Sequence, residues 1–568
     1  MIHRSALIVL SAVLVACAPG TAPRPLGSDQ PVPAAPVRTL VAALRVEPNS
    51  VAAKPIGSGG VATYFATRLF NADFALLDGD GIAQPYLAEA LPQLNTASWQ
   101  VFPDGRMETI YRLKPNLLWH DGTPLTAEDW IFSRKVYATP EFATASGPIR
   151  LIDEVRAPDA RTVVIRWKQP FAQAGAINST GTGAPANFPP LPRSVLEATF
   201  EAGSTDGFLN HPYWTREFTG LGPYRLQRWE PGSFIEARAF DRHVFGPPKI
   251  ERIKLQVMPD NNATIANLLA GDIQLAPAEA NFPVGQVRNV IGQMQGRGAV
   301  VLHPNQWRRA DVQLRAEYAS HPGLLDVRVR KALASAVDKD PINEAVYDGQ
   351  SIPSDIMVPP TSAAGRAVDA AINKYPFDPR RSQEMMAAAG YTKAANGFYS
   401  SVVQGRFSSE LKTNAGTDNV AEMTILADGL RKAGFDIKDA VLPVALSQDA
   451  EARATFAGLF SANGNLEGAI SFKSTLVPSA PNRFTIESRG GWSHPEYARL
   501  LDAFSTALDQ AERTRLMVDM AKVFTDEVPV LSLFFNGQPW MYITALQGPQ
   551  PVASESNVSW RIHEWILS

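Results

Sequence analysis

From Pro495 to Phe535 the chain spells out helix, helix and strand in succession. Leu500, Leu501, Phe504 and Leu508 recur at helical spacing, and Leu516, Met517, Met520 and Phe524 do so again. Val528-Pro529 then stops the second helix ahead of an unbroken apolar strand, Val530 to Phe535. Upstream, Ala332, Leu333, Ala336 and Val337 form another apolar stripe, followed by Asp340 as an expected N-cap with Pro341 at the first helical position. Alternation of this kind predicts α/β lobes rather than a sandwich or a bundle. With 568 residues, 45% of them hydrophobic, the chain exceeds one small core and predicts several structural units. Its 45 prolines and 40 glycines argue further against a helical bundle. No internal repeat is present.

Acidic and basic residues nearly balance, 56 against 53, so nothing in the charge recommends nucleic acid as a partner. The single cysteine, Cys17, excludes an internal disulfide and a cysteine-rich zinc site. It follows MIHRSALIVLSAVLVA, in which Arg4 precedes an apolar run, Ala6 to Val15, of signal-peptide length. Leu14-Val15-Ala16-Cys17 resembles a bacterial lipobox, so residues 1–16 are expected to be a lipoprotein signal peptide and Cys17 the lipidated residue. The alternative is an ordinary signal peptide that happens to contain a cysteine. Each buried acyl methylene contributes about 0.8 kcal/mol, which makes a multiply acylated cysteine a firm anchor. Residues 17–38, rich in Pro and Ala, have too little apolar surface to offset ordering and predict a flexible tether. The folded body is expected from Thr39. No later segment is long and apolar enough to span a bilayer, so contact with the membrane is expected through the lipid alone.

The most chemically crowded window is Leu118 to Ser133, LWHDGTPLTAEDWIFS. It lies after the β-rich run Glu108 to Leu113 and before another, Arg161 to Trp167. Asp121-Gly122 predicts a turn, Thr126 a helix N-cap, and Glu128 and Asp129 favour the helix start. Trp119 and Trp130 are expected to pack. His120 is left over, but it has no second histidine at metal spacing and no convergent constellation around it. Architecture is the better reading. Ser409-Glu-Leu-Lys412, Ser461-Ala-Asn463 and Lys473-Ser474-Thr475 together suggest a serine acyl hydrolase, yet such short patterns arise by chance and the last lacks its glycine. There is no P-loop and no H-E-x-x-H, and Gly79-Asp80-Gly81 and Gly181-Thr182-Gly183 read as turns.

An ordered series of stretches resembles family 5 of the solute-binding proteins of ABC importers, which bind oligopeptides, dipeptides, nickel chelates and some sugars. The series runs YRLKPNLLWHDGTPLTAEDWIFS, FTGLGPYRLQRWEP from Phe218, PPKIERIKLQVMPDNNATIANLLAGDIQLAP from Pro247, and DVRVRKALASAVDKDPINEAVYDG from Asp326. It ends with YPFDPRRSQEMMAAAGY from Tyr375, then WSHPEYARLLDAF and VPVLSLFFNGQPWM. The resemblance implies an α/β, two-lobed periplasmic-binding-protein fold of class II, with a ligand cleft at the hinge. Lobe I would comprise residues 39–70, 215–300 and 525–568, an extra subdomain 71–214, and lobe II 301–524. It also implies a monomeric, non-catalytic binder outside the cytoplasm, without cofactor or metal. The binder would deliver a short peptide or other small molecule to a permease and ATPase complex. Binding of a non-peptide solute, or a surface receptor without transport, remains open.

Many peptide-binding members hold the peptide's amino terminus with the Asp of a G-W-x-x-D-x-x-D-P segment. Gly458 to Glu467, GLFSANGNLE, is the nearest match, with Leu459 at the Trp position, Ala462 at the anchoring Asp and Asn465-Leu466 at the Asp-Pro. A buried ammonium without a carboxylate is costly. The departure therefore implies a ligand uncharged at that end, unless Glu467 or Asp449 serves instead. Other cleft candidates are Phe70 and Asn71 at the end of the first strand, Asn178, Asn305, Trp307, Asn463 and Trp492. Aromatic walls with a few amides suit a ligand cleft, although core packing or turn chemistry accounts for each equally well.

Overall fold

The computed structural model describes residues 39–56, 64–142, 147–179, 187–280, 282–362, 364–446, 449–464, 472–482, 484 and 488–568. Cys17, the leader, the tether, Gly181 to Gly183 and Asn465 to Glu467 lie outside the described residues. No described helix is long and apolar enough to cross a membrane.

Two long strands organise the molecule. Gly298–Val312 and Val530–Ile543 run antiparallel from Gly298 opposite Ile543 to Asp311 opposite Val530. The ladder shifts register between Pro304 and Gln306 and again between Arg308 and Arg309. At one end of this ribbon Met541 and Tyr542 pair with Leu275–Ala276, beyond which lie Thr39–Leu44, Arg252–Val257, Phe234–Ala239 and Tyr224–Glu230. At the other end Trp307 to Val312 pair with Leu459–Gly464, followed by Ser408–Asn414 and Asp436–Leu442. One sheet thus belongs to two lobes, and the ribbon passes between them where Gln306 faces Asn536 and Pro304 faces Gly537. The strand expected to end at Phe535 instead continues to Ile543. Asn536-Gly537-Gln538-Pro539 has turn composition, but a bulged ladder accommodates it without reversing the chain.

In the first lobe, the expected strands near 108–113 and 161–167 form as Met107–Arg112 and Thr162–Trp167, paired Met107 to Trp167 in a four-stranded sheet. This sheet does not carry a separate core. Phe74 lies stacked against Tyr111 at 4.0 Å and Trp130 at 4.3 Å, inside a cluster that also holds Leu40, Phe65 and Ile253. In the second lobe, Ala332, Leu333, Ala336 and Val337 are all buried as the stripe predicts, against Leu426 and Leu430 of the helix Thr417–Ala433. A neighbouring cluster gathers Trp307, Trp492, Leu500, Leu501, Met520 and Phe524.

His120 is architecture. Its Nδ1 accepts from the Gly220 N–H at 3.1 Å, its backbone N–H donates to the Gly220 carbonyl at 3.0 Å, and Nε2 donates to the Gly222 carbonyl at 2.9 Å. Burial pushes its pKa down to about 4, so the ring is neutral with the proton on Nε2. The glycines are needed because a Cβ on Gly220 would lie 2.0 Å from the Phe70 carbonyl oxygen, and one on Gly222 2.3 Å from that of Leu69. The window 118–133 therefore docks the end of one helix onto a glycine-containing turn.

Several local expectations shift. Thr126 is not the cap of the helix Glu128–Tyr137. The helix start carries no side-chain cap; Asp129 reaches back instead to accept from the Thr126 N–H at 2.9 Å, and from the Arg193 N–H at 3.0 Å, so the carboxylate ties the preceding turn and a distant loop to the helix. Asp340 is the first helical residue, with Lys339 before it, because Pro341 fits either of the first two positions. The helix from Pro495 ends at Thr506, which leaves Leu508 beyond it and packed against the first lobe's cluster. Phe70 ends the helix Tyr64–Phe70 and Asn71 follows it, so neither closes a strand.

Candidate ligand-binding site

A cavity of about 490 Å³ opens where the ribbon passes between the lobes. The first lobe contributes Arg45, just past the strand Thr39–Leu44, with Asn261, Phe282 and Val284. The second contributes Arg308, Tyr347, Asp418, Asn419 and Asn463, and the crossing itself Gln306 and Asn536 to Pro539. The floor rests on one buried ion pair. Arg308 donates from Nε to Glu422 Oε2 at 2.9 Å and from Nη2 to Oε1 at 2.6 Å. Tyr347 donates its hydroxyl to Glu422 Oε2 at 2.6 Å, and Ser461 donates to Oε1. Burial alone would raise the Glu422 pKa, but the charge of Arg308 and the hydrogen bonds from Arg308, Tyr347 and Ser461 outweigh it and hold the carboxyl below its usual range. For Arg308, burial opposes the charge and Glu422 more than restores it. Both groups are ionised, as a bidentate pair with its lone pairs satisfied permits.

Asp418, in the first turn of the helix Thr417–Ala433, is half-buried at the cavity wall. Burial raises its pKa against the pull of Arg308, and it forms no ion pair within 4.0 Å among the described residues. Arg45 is exposed on the other lobe. The site thus offers charge of both signs together with several amides.

Of the residues expected in the cleft, Asn463 lines this cavity, and Asn305 reaches its rim by donating to Gln538 Oε1 at 2.7 Å. The others lie elsewhere. Phe70 is sealed in the first lobe's core. Asn71 accepts from the Ala53 N–H and donates to the Val51 and Thr67 carbonyls, which fixes a loop to a helix end. Asn178 is buried and donates to the Ala176 carbonyl at 3.1 Å. Trp307 is fully buried with its Nε1 donating to Ser532 Oγ at 2.8 Å, and Trp492 packs edge-on against Phe472, Tyr497 and Phe524. Ala462 faces Leu442, Phe456 and Phe460 rather than the cavity, while Asp449 caps the helix Ala450–Ala454 by accepting from the Ala452 N–H. Sequence reasoning missed Arg45, Arg308, Tyr347, Asp418, Asn536 and Gln538. The one available signal was the polar quartet Asn536 to Pro539 interrupting an apolar strand.

The hydrolase pattern fails geometrically. Ser409 and Lys412 lie on the strand Ser408–Asn414, three residues apart and hence on opposite faces. Ser409 is buried and Lys412 pairs with Glu410 at 3.1 Å. Ser461 is committed to Glu422. No group of three or more metal-ligating side chains occurs among the described residues.

The family model described as bacterial extracellular solute-binding proteins, family 5 Middle, matches residues 89–466. The chain belongs to this family. An oligopeptide-binding protein, AppA, of Bacillus subtilis is 24% identical over 397 residues, which cover 68% of each chain. A dipeptide-binding protein of Escherichia coli is 24% identical over 473 residues, 78% of this chain and 80% of that one. Among solved structures, NikZ of Campylobacter jejuni, in complex with Ni(L-His), superposes with a TM-score of 0.71 at 19% identity, covering 94% of this chain and all of that one. These family 5 relatives are binding proteins, not enzymes, and share the two-lobed α/β fold.

Proposed function

We propose that this chain is the solute-binding component of an ABC importer. It captures a peptide or peptide-like solute between its lobes and delivers the closed complex to a permease and ATPase complex. The observation that carries this reading is the polar cavity at the single crossing of the ribbon, walled by both lobes, with buried charge beneath it. Rotation about such a crossing changes the cavity without breaking either core. We assign lobe I to 39–70, 215–300 and 525–568, the extra subdomain to 71–214 and lobe II to 301–524, with the two lobe junctions moved along the ribbon to about Gln306 and Asn536 because Val530 to Phe535 pack in the second lobe. Lipidation at Cys17 after removal of residues 1–16 anchors a monomer outside the cytoplasm, with residues 17–38 as leash.

A second reading, capture of a non-peptide polar solute, is favoured by Ala462, which is apolar and turned away from the cavity. One experiment separates the two. Full-length protein purified in detergent is denatured and the released small molecules are identified by mass spectrometry. Short peptides with free amino termini support peptide import, and a single non-peptide species supports the second reading. Readdition of the released solute at 100 times its Kd stabilises the protein by about 2.7 kcal/mol. No released solute, and no thermal shift with peptides, glycans or metal chelates, would falsify solute capture.

A further inference from the structure

The amide of Asn463 is locked by the ion pair beneath it. Arg308 spends Nε and Nη2 on Glu422, and its remaining Nη1 points at the Asn463 side chain at 2.8 Å. A guanidinium only donates, so the contacting atom of Asn463 is its oxygen. One lone pair of that oxygen is therefore taken by Arg308, which fixes the amide with Nδ2 turned away from the guanidinium. Nδ2, with two N–H donors, makes no hydrogen bond among the described residues, and Asn463 is an exposed residue of the cavity wall. The lock is rigid at each link. Glu422 is fully buried, Tyr347 and Ser461 can only donate to its ionised carboxylate, and a bidentate guanidinium has one orientation. Rotating the amide would set N–H against N–H and leave Arg308 without its third partner.

Building on the solute-capture reading, we infer that Asn463 is a specificity-determining residue whose locked amide turns its two N–H donors to the solute. The group it receives is an acceptor, a carbonyl or carboxylate oxygen, and not an ammonium. A carboxylate at 463 would pair with Arg308 and turn this patch of the wall from donor to acceptor. The single side-chain difference between Asn and Asp at this position thus sets which end of a solute can lie against the second lobe here. An unmet donor pair discriminates strongly once the cavity closes and water is excluded.

The test reads the amide itself. Full-length protein in detergent is labelled with 15N at asparagine, and N463D, or N463S if the first does not fold, identifies the side-chain cross-peaks of Asn463. The probes are acetate, N-methylacetamide and methylammonium, titrated at constant ionic strength. The expected result is a saturable shift of the Asn463 side-chain cross-peaks with acetate and with N-methylacetamide, and none with methylammonium. A shift with methylammonium, or no shift with either acceptor probe, overturns the assignment. Shifts with the acceptor probes in a protein that releases no solute on denaturation and shows no thermal shift with peptides, glycans or metal chelates would sustain the donor assignment while overturning solute capture, so the two readings fail separately.

Discussion

Arg308 and Arg68 are both sealed from water, at 4% and 0% exposure, and they are held in opposite ways. Arg308 meets a full carboxylate, and every donor around Glu422 reinforces that charge. Arg68 meets dipoles. Its Nε and Nη2 both donate to the Trp560 carbonyl, at 3.1 and 2.7 Å, and Nη1 donates to the Tyr86 hydroxyl at 3.0 Å. That hydroxyl in turn donates to His243 Nε2 at 2.9 Å, because Arg68 has no lone pair to receive its proton. The first arrangement balances charge beside a cavity and fixes the side chains that face solute. The second ties residues near 560 to the helix Tyr64–Phe70 and leaves a net positive charge in the core. Of these two arginines, the one balanced by a carboxylate belongs to the site and the one clamped by dipoles to the scaffold.

The contrast predicts unequal costs. Glu422→Ala strands Arg308 and is expected to destabilise the protein by about 3–5 kcal/mol in urea unfolding. Arg68→Met removes the charge itself, and leaves the Trp560 carbonyl without these donors while the Tyr86 hydroxyl keeps its bond to His243, for about 1–3 kcal/mol. It should also expose residues 550–568 to limited proteolysis. Equal costs for the two variants would break the distinction. Acid provides a subtler probe. Burial and then Arg68 depress His243 and His563, the latter to about 3. An ordinary histidine titrates near 6.5, so their contribution is full above pH 6.5 and is lost as pH falls toward about 3. Glu422 is depressed from 4.5, so its contribution is lost only below that pH. Hydrogen exchange should therefore rise around Trp560 between pH 6.5 and 4.5 while Leu459–Gly464 stays protected, and simultaneous loss would contradict the assignment. Asp449→Ala touches neither cluster. Loss of its helix cap should cost about 1 kcal/mol and leave solute retention unchanged; a large drop in retention would restore Asp449 as an anchor.

How much of this was legible in the sequence follows from the range over which each feature is encoded. The stripe Ala332, Leu333, Ala336 and Val337, the helices after Pro495 and Gln510 and the strands around 108 and 162 were readable because their periodicity is local. The ribbon's second half was not, since Asn536-Gly537-Gln538-Pro539 has the composition of a turn and only its partner strand makes it a ladder. Trp307 and Trp492 looked like cleft walls because an aromatic residue beside loop residues reads the same whether it faces a solute or fills a core. Arg308 and Glu422 lie 114 positions apart and neither is unusual alone. Asn463 was reached through its polar setting, but the direction of its amide depends on those two residues and so had no signal in the sequence.

The ribbon also has a consequence for how the chain assembles. The strand Thr39–Leu44 and the pair Leu546–Gln547 with Ile566–Leu567 all lie in the first lobe, so the second is one covalent excursion that departs near Gln306 and rejoins near Asn536. Closing so long a loop is entropically expensive at the outset, although each further doubling adds only about 0.6 kcal/mol. The excursion carries its own apolar clusters and can condense first, shortening the gap its ends must bridge. Zippering of the two long strands is then expected late in folding, and the joint proposed to close around a solute would be the seam where the newly made halves first meet.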